Sequence, residues 1–255
     1  MKEGWFYRNL YGDVFTYILK KPLYAGAMVV LDGIFLAVWL YLQRFIAVVM
    51  PQNAGQSGML SSIGIFLLIA LDFFILVFLY SLFKYCILHF MRRMDKSVGL
   101  KFDKLMHFYG INLALIAIFT AVYLSVGGFL QSGLRTEFVR TAAMIIAVPY
   151  LLFSYTWLNI AHSLFAKSWG TSKVLRNSFS FMFRKIPSYR SVYFFSAAVL
   201  LALATIYYLA GIGLGKFGWD AGAFVRFFAV FSSIVLYCLM ALNRIGFYLS
   251  VKKVH

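Results

Sequence analysis

Charged residues are scarce in this sequence: 13% of its 255 residues are Asp, Glu, Lys or Arg, whereas 63% are hydrophobic. Soluble domains have about 45 to 50% apolar residues, so the composition excludes a water-soluble fold and requires a membrane. Acids are scarcer than bases, 8 against 24, and the net charge is +16. In a membrane protein this excess is typical of the positive-inside rule and an anionic leaflet, and not of nucleic-acid binding.

Cysteines and catalytic motifs are also few. The sequence has two cysteines, Cys86 and Cys238, too few for a disulfide framework, and we expect both to be reduced. It has no Gly-rich phosphate loop and no His-Glu-x-x-His motif, which predicts a protein that is not an enzyme and needs no cofactor. Charges interrupt the N-terminal segment, so we expect the first apolar run to act as an uncleaved signal anchor.

Long apolar runs are what the sequence has in abundance. A hydrocarbon core of about 30 Å needs about 20 helical residues, and six runs approach or exceed that length. We predict an all-α polytopic membrane protein with six transmembrane helices. They occupy Pro22–Gln43, Ser62–Phe83, Phe108–Leu130, Thr141–Phe165, Ser191–Leu214 and Phe224–Tyr248.

Lys and Arg fall on alternate connections between these runs. The N-terminal segment, the second and fourth connections and the C-terminal tail are basic, whereas the first, third and fifth connections carry few charges. By the positive-inside rule, this bias predicts that both termini are cytoplasmic in a multi-pass protein of the cell membrane.

The pairs of runs begin on the basic side near residues 22, 108 and 191. Within one transmembrane domain, 1–255, this spacing predicts three helical hairpins of the same orientation, as internal repeats 1–90, 91–170 and 171–255. Local similarity between Ile34–Leu40 and Ile118–Leu124 supports the repeat.

A basic, amphipathic segment precedes each hairpin, and the clearest covers 171–186. On a helix, one face would carry Lys173, Arg176, Ser180 and Arg184, and the other Leu175, Phe179, Met182 and Phe183. We expect such segments to lie in the headgroup layer and to place Lys173, Arg176, Arg184 and Lys185 against anionic lipid. The alternative is an ordinary loop whose cations only set the topology.

Two short motifs carry a resemblance to a known group. Lys20-Lys21-Pro22 stands before the first span, and Val174-Leu175-Arg176-Asn177-Ser178-Phe179 before the fifth. In these motifs the chain resembles poorly characterised prokaryotic six-span membrane domains of the kind fused to glycerophosphodiester phosphodiesterases. The resemblance implies no catalytic residue here. Mitochondrial carriers also have three hairpins, but their signature after proline, an acidic and then a basic residue, is absent after Pro22 and Pro149.

Asp32 and Asp72 are the acids that fall deep within the predicted spans. Each lies about ten residues from the end at which its span begins, about 15 Å along a helix. We therefore expect both near the midplane, where two carboxylates could share a proton or hold a cation. The alternative is that each bonds a local polar group and fixes helix packing.

Other polar residues in the spans cluster near the cytoplasmic side and predict an inner polar ring: Lys84, His89, Asn112, Asn159, His162, Asn243 and Arg244. Such a ring could line a vestibule or bind headgroups, or its members could only bond helix ends and extend to the interface. Cys86 and His89 have i, i+3 spacing, but no second pair completes a metal site.

Gly55-Gln56-Ser57-Gly58 has the form of the intramembrane serine protease motif, whose serine works with a histidine. All four histidines map to the opposite side of the membrane from Ser57, so we predict no such dyad.

The sequence therefore favours a non-enzymatic integral membrane protein. We expect it to organise or assist a membrane system through its helices and its basic cytoplasmic face, with lipid headgroups, other membrane subunits or a second copy as partners. The alternative is a small transporter or channel for protons, cations or small solutes that uses Asp32 and Asp72.

Overall fold

The structure, a computed structural model, describes residues 10–49, 59–95, 102–133, 136–167, 170–217 and 221–254. These residues form eight helices and no strands. The helices are α1 (Leu10–Lys20), α2 (Pro22–Val49), α3 (Met59–Asp95), α4 (Asp103–Gly133), α5 (Thr136–Ala166), α6 (Thr171–Arg184), α7 (Ile186–Phe217) and α8 (Ala221–Val254).

Six of these helices, α2 to α5, α7 and α8, are long and apolar enough to cross a membrane. The prediction of an all-α integral membrane protein with six spans is confirmed. The helices are longer than the apolar runs: α3 has 37 residues and continues past Phe83 to Asp95. A helix satisfies its own backbone hydrogen bonds, so it does not have to end where the hydrocarbon ends.

The helices group into two compact units, and the division falls within α6. The four-span unit is Lys21–Phe179 and contains α2 to α5. The terminal unit joins Met1–Lys20 to Ser180–His255 and contains α1, α7 and α8. Whether the three hairpins are homologous repeats stays a prediction.

In the four-span unit, α3 is the central helix and packs against α2, α4 and α5. It runs antiparallel to α2, as the ring pairs Tyr24–Phe90 and Phe35–Tyr80 show at centroid distances of 5.9 Å. It is also antiparallel to α4, where Asn112 contacts Ser81. The ends of the four helices near Lys21 and Arg93 therefore lie on one side, here called the basic end.

Apolar packing is concentrated toward the basic end. Ile87, Phe108, Ile111, Ile160 and Leu164 are all fully buried. Toward the opposite end, large side chains on the same helices are exposed, among them Phe66, Leu71, Tyr123, Phe129 and Ile145. The halves of these helices away from the basic end, here called the outer halves, therefore leave large apolar side chains exposed to lipid.

In the terminal unit, α7 and α8 form an antiparallel hairpin and α1 packs against α8. Leu10 and Val14 are the buried residues of α1, and they reach α8 at Gly246. A Cβ atom added to Gly246 would lie 3.3 Å from Val192 Cγ2 and 3.9 Å from both Leu10 Cδ2 and Val14 Cγ2. Glycine at this position lets three helices approach one another.

The helical segment predicted over 171–186 is confirmed as α6, and the first segment forms α1. Of the basic segment before the second hairpin, residues 96–101 lie outside the described residues. Apart from Phe102, the described residues on either side belong to α3 and α4 themselves, so the structure describes no separate helix there.

We predict that Gly246→Leu detaches α1 from α8, because the new side chain must overlap Val192, Leu10 and Val14. Overpacking of this kind costs about 1 to 3 kcal/mol. The measurement is the free energy of unfolding in detergent, together with the rate of limited proteolysis within α1. Gly211→Leu is the matched control, since no atom lies within 4 Å of a Cβ at Gly211. Equal effects of the two substitutions would contradict the assigned packing.

Candidate functional site: a polar cluster between four helices

Asp32 on α2 and Lys84 on α3 form an ion pair, with 2.9 Å between Lys84 Nζ and Asp32 Oδ1. The side chains are 9% and 14% exposed, respectively. Lys84 Nζ also lies 5.7 Å from the ring centroid of Tyr80, a cation–π distance. The pair therefore neutralises two charges that would each be costly alone in a low-dielectric setting.

This pair corrects the expected meeting of Asp32 with Asp72. Lys84 and Asp72 are 12 residues apart on α3, which is about 18 Å along a helix. Asp32 lies at the level of Lys84, so the two acids are on different levels of the hairpin. The prediction counts the depth of each acid from the end of its own apolar run, whereas contacts between α2 and α3 set the register of the two helices.

Two contacts fix the level of Asp72 within the four-span unit. The Tyr150 hydroxyl donates to Phe119 O at 2.6 Å, where α4 and α5 pack antiparallel. Tyr80–His162 is the contact that aligns α3 with α5, and the same offset brings Asp72 level with Ser154. Asp72 therefore lies about three turns of α3 from the Asp32–Lys84 pair, and the depth of either acid in a membrane stays a prediction.

Three buried polar side chains continue the site across α3, α4 and α5. Asn112 Nδ2 donates to Ser81 Oγ at 2.9 Å, and His162 Nε2 lies 2.7 Å from Asn112 Oδ1. Because an amide oxygen only accepts, His162 carries its proton on Nε2 in this bond. Ser81 completes the chain by donating to Val77 O at 2.6 Å.

Tyr80 connects the ion pair with this chain. Its ring lies 6.2 Å from the ring of His162, and Phe108 covers the imidazole at 4.8 Å. We call Asp32, Lys84, Ser81, Asn112 and His162 the inner polar cluster. Its five side chains come from four helices and hold α2, α4 and α5 to the central α3.

The remaining members of the predicted inner ring have other partners. Asn159 Nδ2 donates to Tyr155 O within α5, and the ring of His89 packs on Phe90. Asn243 and Arg244 belong to the terminal unit, where Asn243 is buried and Arg244 is half-buried. Of the seven predicted positions, Lys84, Asn112 and His162 are the ones that enter the inner polar cluster.

The terminal unit has a polar chain of its own. The Tyr11 hydroxyl donates to Asn243 Oδ1 at 2.6 Å, and Asn243 Nδ2 donates to Ser196 Oγ at 2.8 Å. Tyr11 also stacks on Phe195 with 3.9 Å between centroids. Sequence reasoning missed Tyr11 and Ser196. The helical spacing of Tyr11 with Leu10 and Val14 is a signal that could have found the first of them.

Helix α6 has three faces rather than the two predicted. Val174 and Ser178 are fully buried, and Ser178 accepts a hydrogen bond from Trp157 Nε1 at 2.8 Å. A second, apolar face is exposed at Phe179 and Phe183. The third face is basic, and the four cations predicted to contact lipid are all exposed: Lys173, Arg176, Arg184 and Lys185.

Two further sequence features have simple outcomes. Among the described residues, no group of three or more His, Cys, Asp or Glu could hold a metal ion, and Cys86 and His89 remain an isolated pair on α3. The Gly55–Gly58 motif lies outside the described residues.

No protein-family model matches the chain, and neither a curated protein nor a solved structure matches it. The resemblance to six-span domains fused to glycerophosphodiester phosphodiesterases therefore stays a prediction.

We predict that removing one partner of the Asp32–Lys84 pair destabilises the protein more than removing both charges. Lys84→Met leaves a mostly buried carboxylate without its partner and should lower the free energy of unfolding by up to about 3 kcal/mol. Breaking a buried ion pair costs about 3 to 5 kcal/mol, and we expect the lower end of this range because both side chains are partly exposed. Asp32→Asn/Lys84→Met should recover most of that loss. The measurement is a double-mutant cycle with Asp32→Asn; additive losses would show that the pair does not couple.

Proposed function

We propose that the chain is a non-enzymatic membrane protein that organises or assists a membrane system through its helices and its basic face. Its basic end would be cytoplasmic, as the distribution of Lys and Arg favours. Its partners would be anionic lipid headgroups together with other membrane subunits or a second copy of the chain.

The use of polar side chains within the spans supports this proposal. The inner polar cluster and the Tyr11–Asn243–Ser196 chain are hydrogen-bonded within the protein, so these groups fix the packing of helices. A pathway for a polar solute would need groups that remain available to exchange partners with that solute.

The three-faced form of α6 is the observation that carries the proposal. One face is anchored to α5 through Trp157 and Ser178 at 2.8 Å, so the helix cannot turn freely. Phe179 and the cations Lys173 and Arg176 are exposed on the remaining surface of the same helix. Apolar side chains that enter the acyl region next to cations at headgroup level match the chemistry of an anionic lipid surface.

Trp157 provides a test, because its ring lies 5.1 Å from that of Phe179 on α6. The reporter protein would keep Trp157 and carry Phe at Trp5, Trp39, Trp169 and Trp219. In liposomes, brominated anionic lipid should quench Trp157 fluorescence more strongly than brominated phosphatidylcholine. Lys173→Gln/Arg176→Gln/Arg184→Gln should weaken the apparent preference about tenfold or more at low salt, since each cation near an anionic surface contributes about 1 kcal/mol.

The matched control removes three exposed cations elsewhere at helix ends: Lys20→Gln/Arg93→Gln/Lys252→Gln. It should leave quenching of Trp157 by the anionic lipid unchanged. Equal quenching by both lipids in the reporter protein, or an equal loss in the control, would contradict a lipid site on α6.

The transporter or channel remains the second candidate, and one observation favours it. Asp72 Oδ1 is buried and has no hydrogen-bond partner in the described part of the chain, whereas Asp32 is paired with Lys84. Proton or cation flux into proteoliposomes that is lost in Asp72→Asn would establish this candidate and contradict the non-transporting role.

A further inference from the structure

A cavity of about 170 Å³ lies between α4 and α5 of the four-span unit. Small residues leave this space: Gly127 on α4 lines it together with Ala143 and Ala147 on α5. Among the described residues, no atom lies within 4 Å of a Cβ built at Gly127. Positions three and four apart share one face of a helix, so the lining residues form a groove along both helices, here called the α4–α5 groove.

The two ends of the α4–α5 groove differ. Toward the basic end, the rings of Tyr123 and Tyr150 close it with 6.3 Å between their centroids, and the Tyr150 hydroxyl is held by Phe119 O. At the other end the lining includes Gln131, about 12 Å further along α4 than Tyr123. Gln131 directly follows the apolar run that we predict as the third span. An amide therefore stands at one end of a groove whose other lining residues are aliphatic or aromatic.

The groove is continuous with the surface that the spans offer to lipid. Leu130 on its floor is 7% exposed, whereas Tyr123 and Ile146 on its edges are 64% and 39% exposed. Phe129 and Ile145, which follow on the same two helices, are more exposed still. Since both helices are long and apolar enough to cross a membrane, the molecules that meet these edges are the acyl chains of lipids.

The size and the lining of the groove indicate what fills it. An apolar cavity of about 150 Å³ stays dry and binds a molecule as small as benzene, so this one would hold about six carbon atoms of a hydrocarbon chain. A dry space without such a chain would forfeit dispersion contacts along its walls. A whole helix, about 10 Å across, is too wide for a space of this volume.

Gln131 distinguishes between kinds of apolar chain. Its amide offers N–H donors, and it lies at the end of an apolar run, where the polar groups of lipids begin. An acyl chain of a glycerolipid carries an ester carbonyl at the head of its hydrocarbon. With its tail toward Tyr123 and Tyr150, such a chain places that carbonyl at Gln131, whereas a plain alkane offers no acceptor there.

We propose that the α4–α5 groove binds one acyl chain of a membrane glycerolipid, whose ester carbonyl accepts a hydrogen bond from the Gln131 amide. The site does not depend on the proposed function, because it recognises hydrocarbon and an ester and not the charge of a headgroup.

Native mass spectrometry of the full chain tests the site. The protein would be reconstituted with phosphatidylcholine, extracted into a mild detergent and washed until loosely bound lipid is lost. We expect the wild type to retain one phosphatidylcholine per chain. Gly127→Leu should lower the retained fraction about tenfold, because a side chain that overlaps the bound acyl chain overpacks the groove.

Gly128→Leu is the matched control. Gly128 is the next residue on α4, it does not line the groove, and no described atom lies within 4 Å of a Cβ built there. This variant should retain lipid as the wild type does. Ala143→Leu fills the groove from α5 and decides the question if Gly127→Leu does not fold.

A second arm replaces phosphatidylcholine with its diether analogue, which has the same chains but no ester carbonyl. The wild type should retain the diether about threefold less than the diester, the effect of one hydrogen bond, and Gln131→Leu should retain the two lipids alike.

Three results would overturn the proposal: a wild type that retains no lipid, equal retention in Gly127→Leu and Gly128→Leu, or equal retention of the diester and the diether by the wild type. A lipid-free dimer that Gly127→Leu separates would also overturn it, and would assign the groove to a side chain of a second copy.

Discussion

The hydrocarbon core of a lipid bilayer offers no hydrogen bond to a polar side chain, so a polar group that a helix carries inward is costly unless it finds a partner within the protein. The packing of this chain follows from that constraint. In the four-span unit, Lys84 bonds Asp32, and Asn112 bonds both Ser81 and His162. In the terminal unit, Asn243 bonds both Tyr11 and Ser196. In each chain of bonds, one asparagine joins three helices. Its amide N–H donates to a side chain of one neighbouring helix, and its amide oxygen accepts from a side chain of another.

Apolar packing follows the polar contacts. In the four-span unit the fully buried Phe108 covers His162 within the inner polar cluster, and Ile87, Ile160 and Leu164 are buried toward the same end. The outer halves of the spans expose large apolar side chains such as Phe66 and Phe129. Lipid tails are as apolar as a protein interior, so these side chains gain little from packing against protein instead. Helix association in a membrane depends on close contact and specific hydrogen bonds more than on hydrophobicity. The position of the core at the basic end is therefore a consequence of where the polar residues occur.

The length and apolarity of each run predicted the six spans, because these two properties decide whether a segment can cross a bilayer. The amphipathic spacing of residues 171–186 predicted the helical segment at α6. These patterns did not predict which residues meet. The level of Asp32 relative to α3 is fixed by Lys84 on the neighbouring helix, and a count of residues from Pro22 contains no information about that contact. Ser81 and Ser196 carried no signal of their own, since serine is common in spans and usually bonds its own helix.

The central claim is that Asp72 and the Asp32–Lys84 pair lie at different levels of the α2–α3 hairpin. Nitroxide labels at two exposed sites test it most directly: Leu71 beside Asp72, and Val30 close to Asp32, which are 57% and 60% exposed. In a Cys86→Ala/Cys238→Ala background, pulsed electron double resonance measures the distance between the two labels. We predict a distance of about 20 Å or more, because about 14 residues of helix separate the two levels. A distance of about 10 Å, the spacing of two packed helices, would contradict this claim and would return both acids to one level of the hairpin.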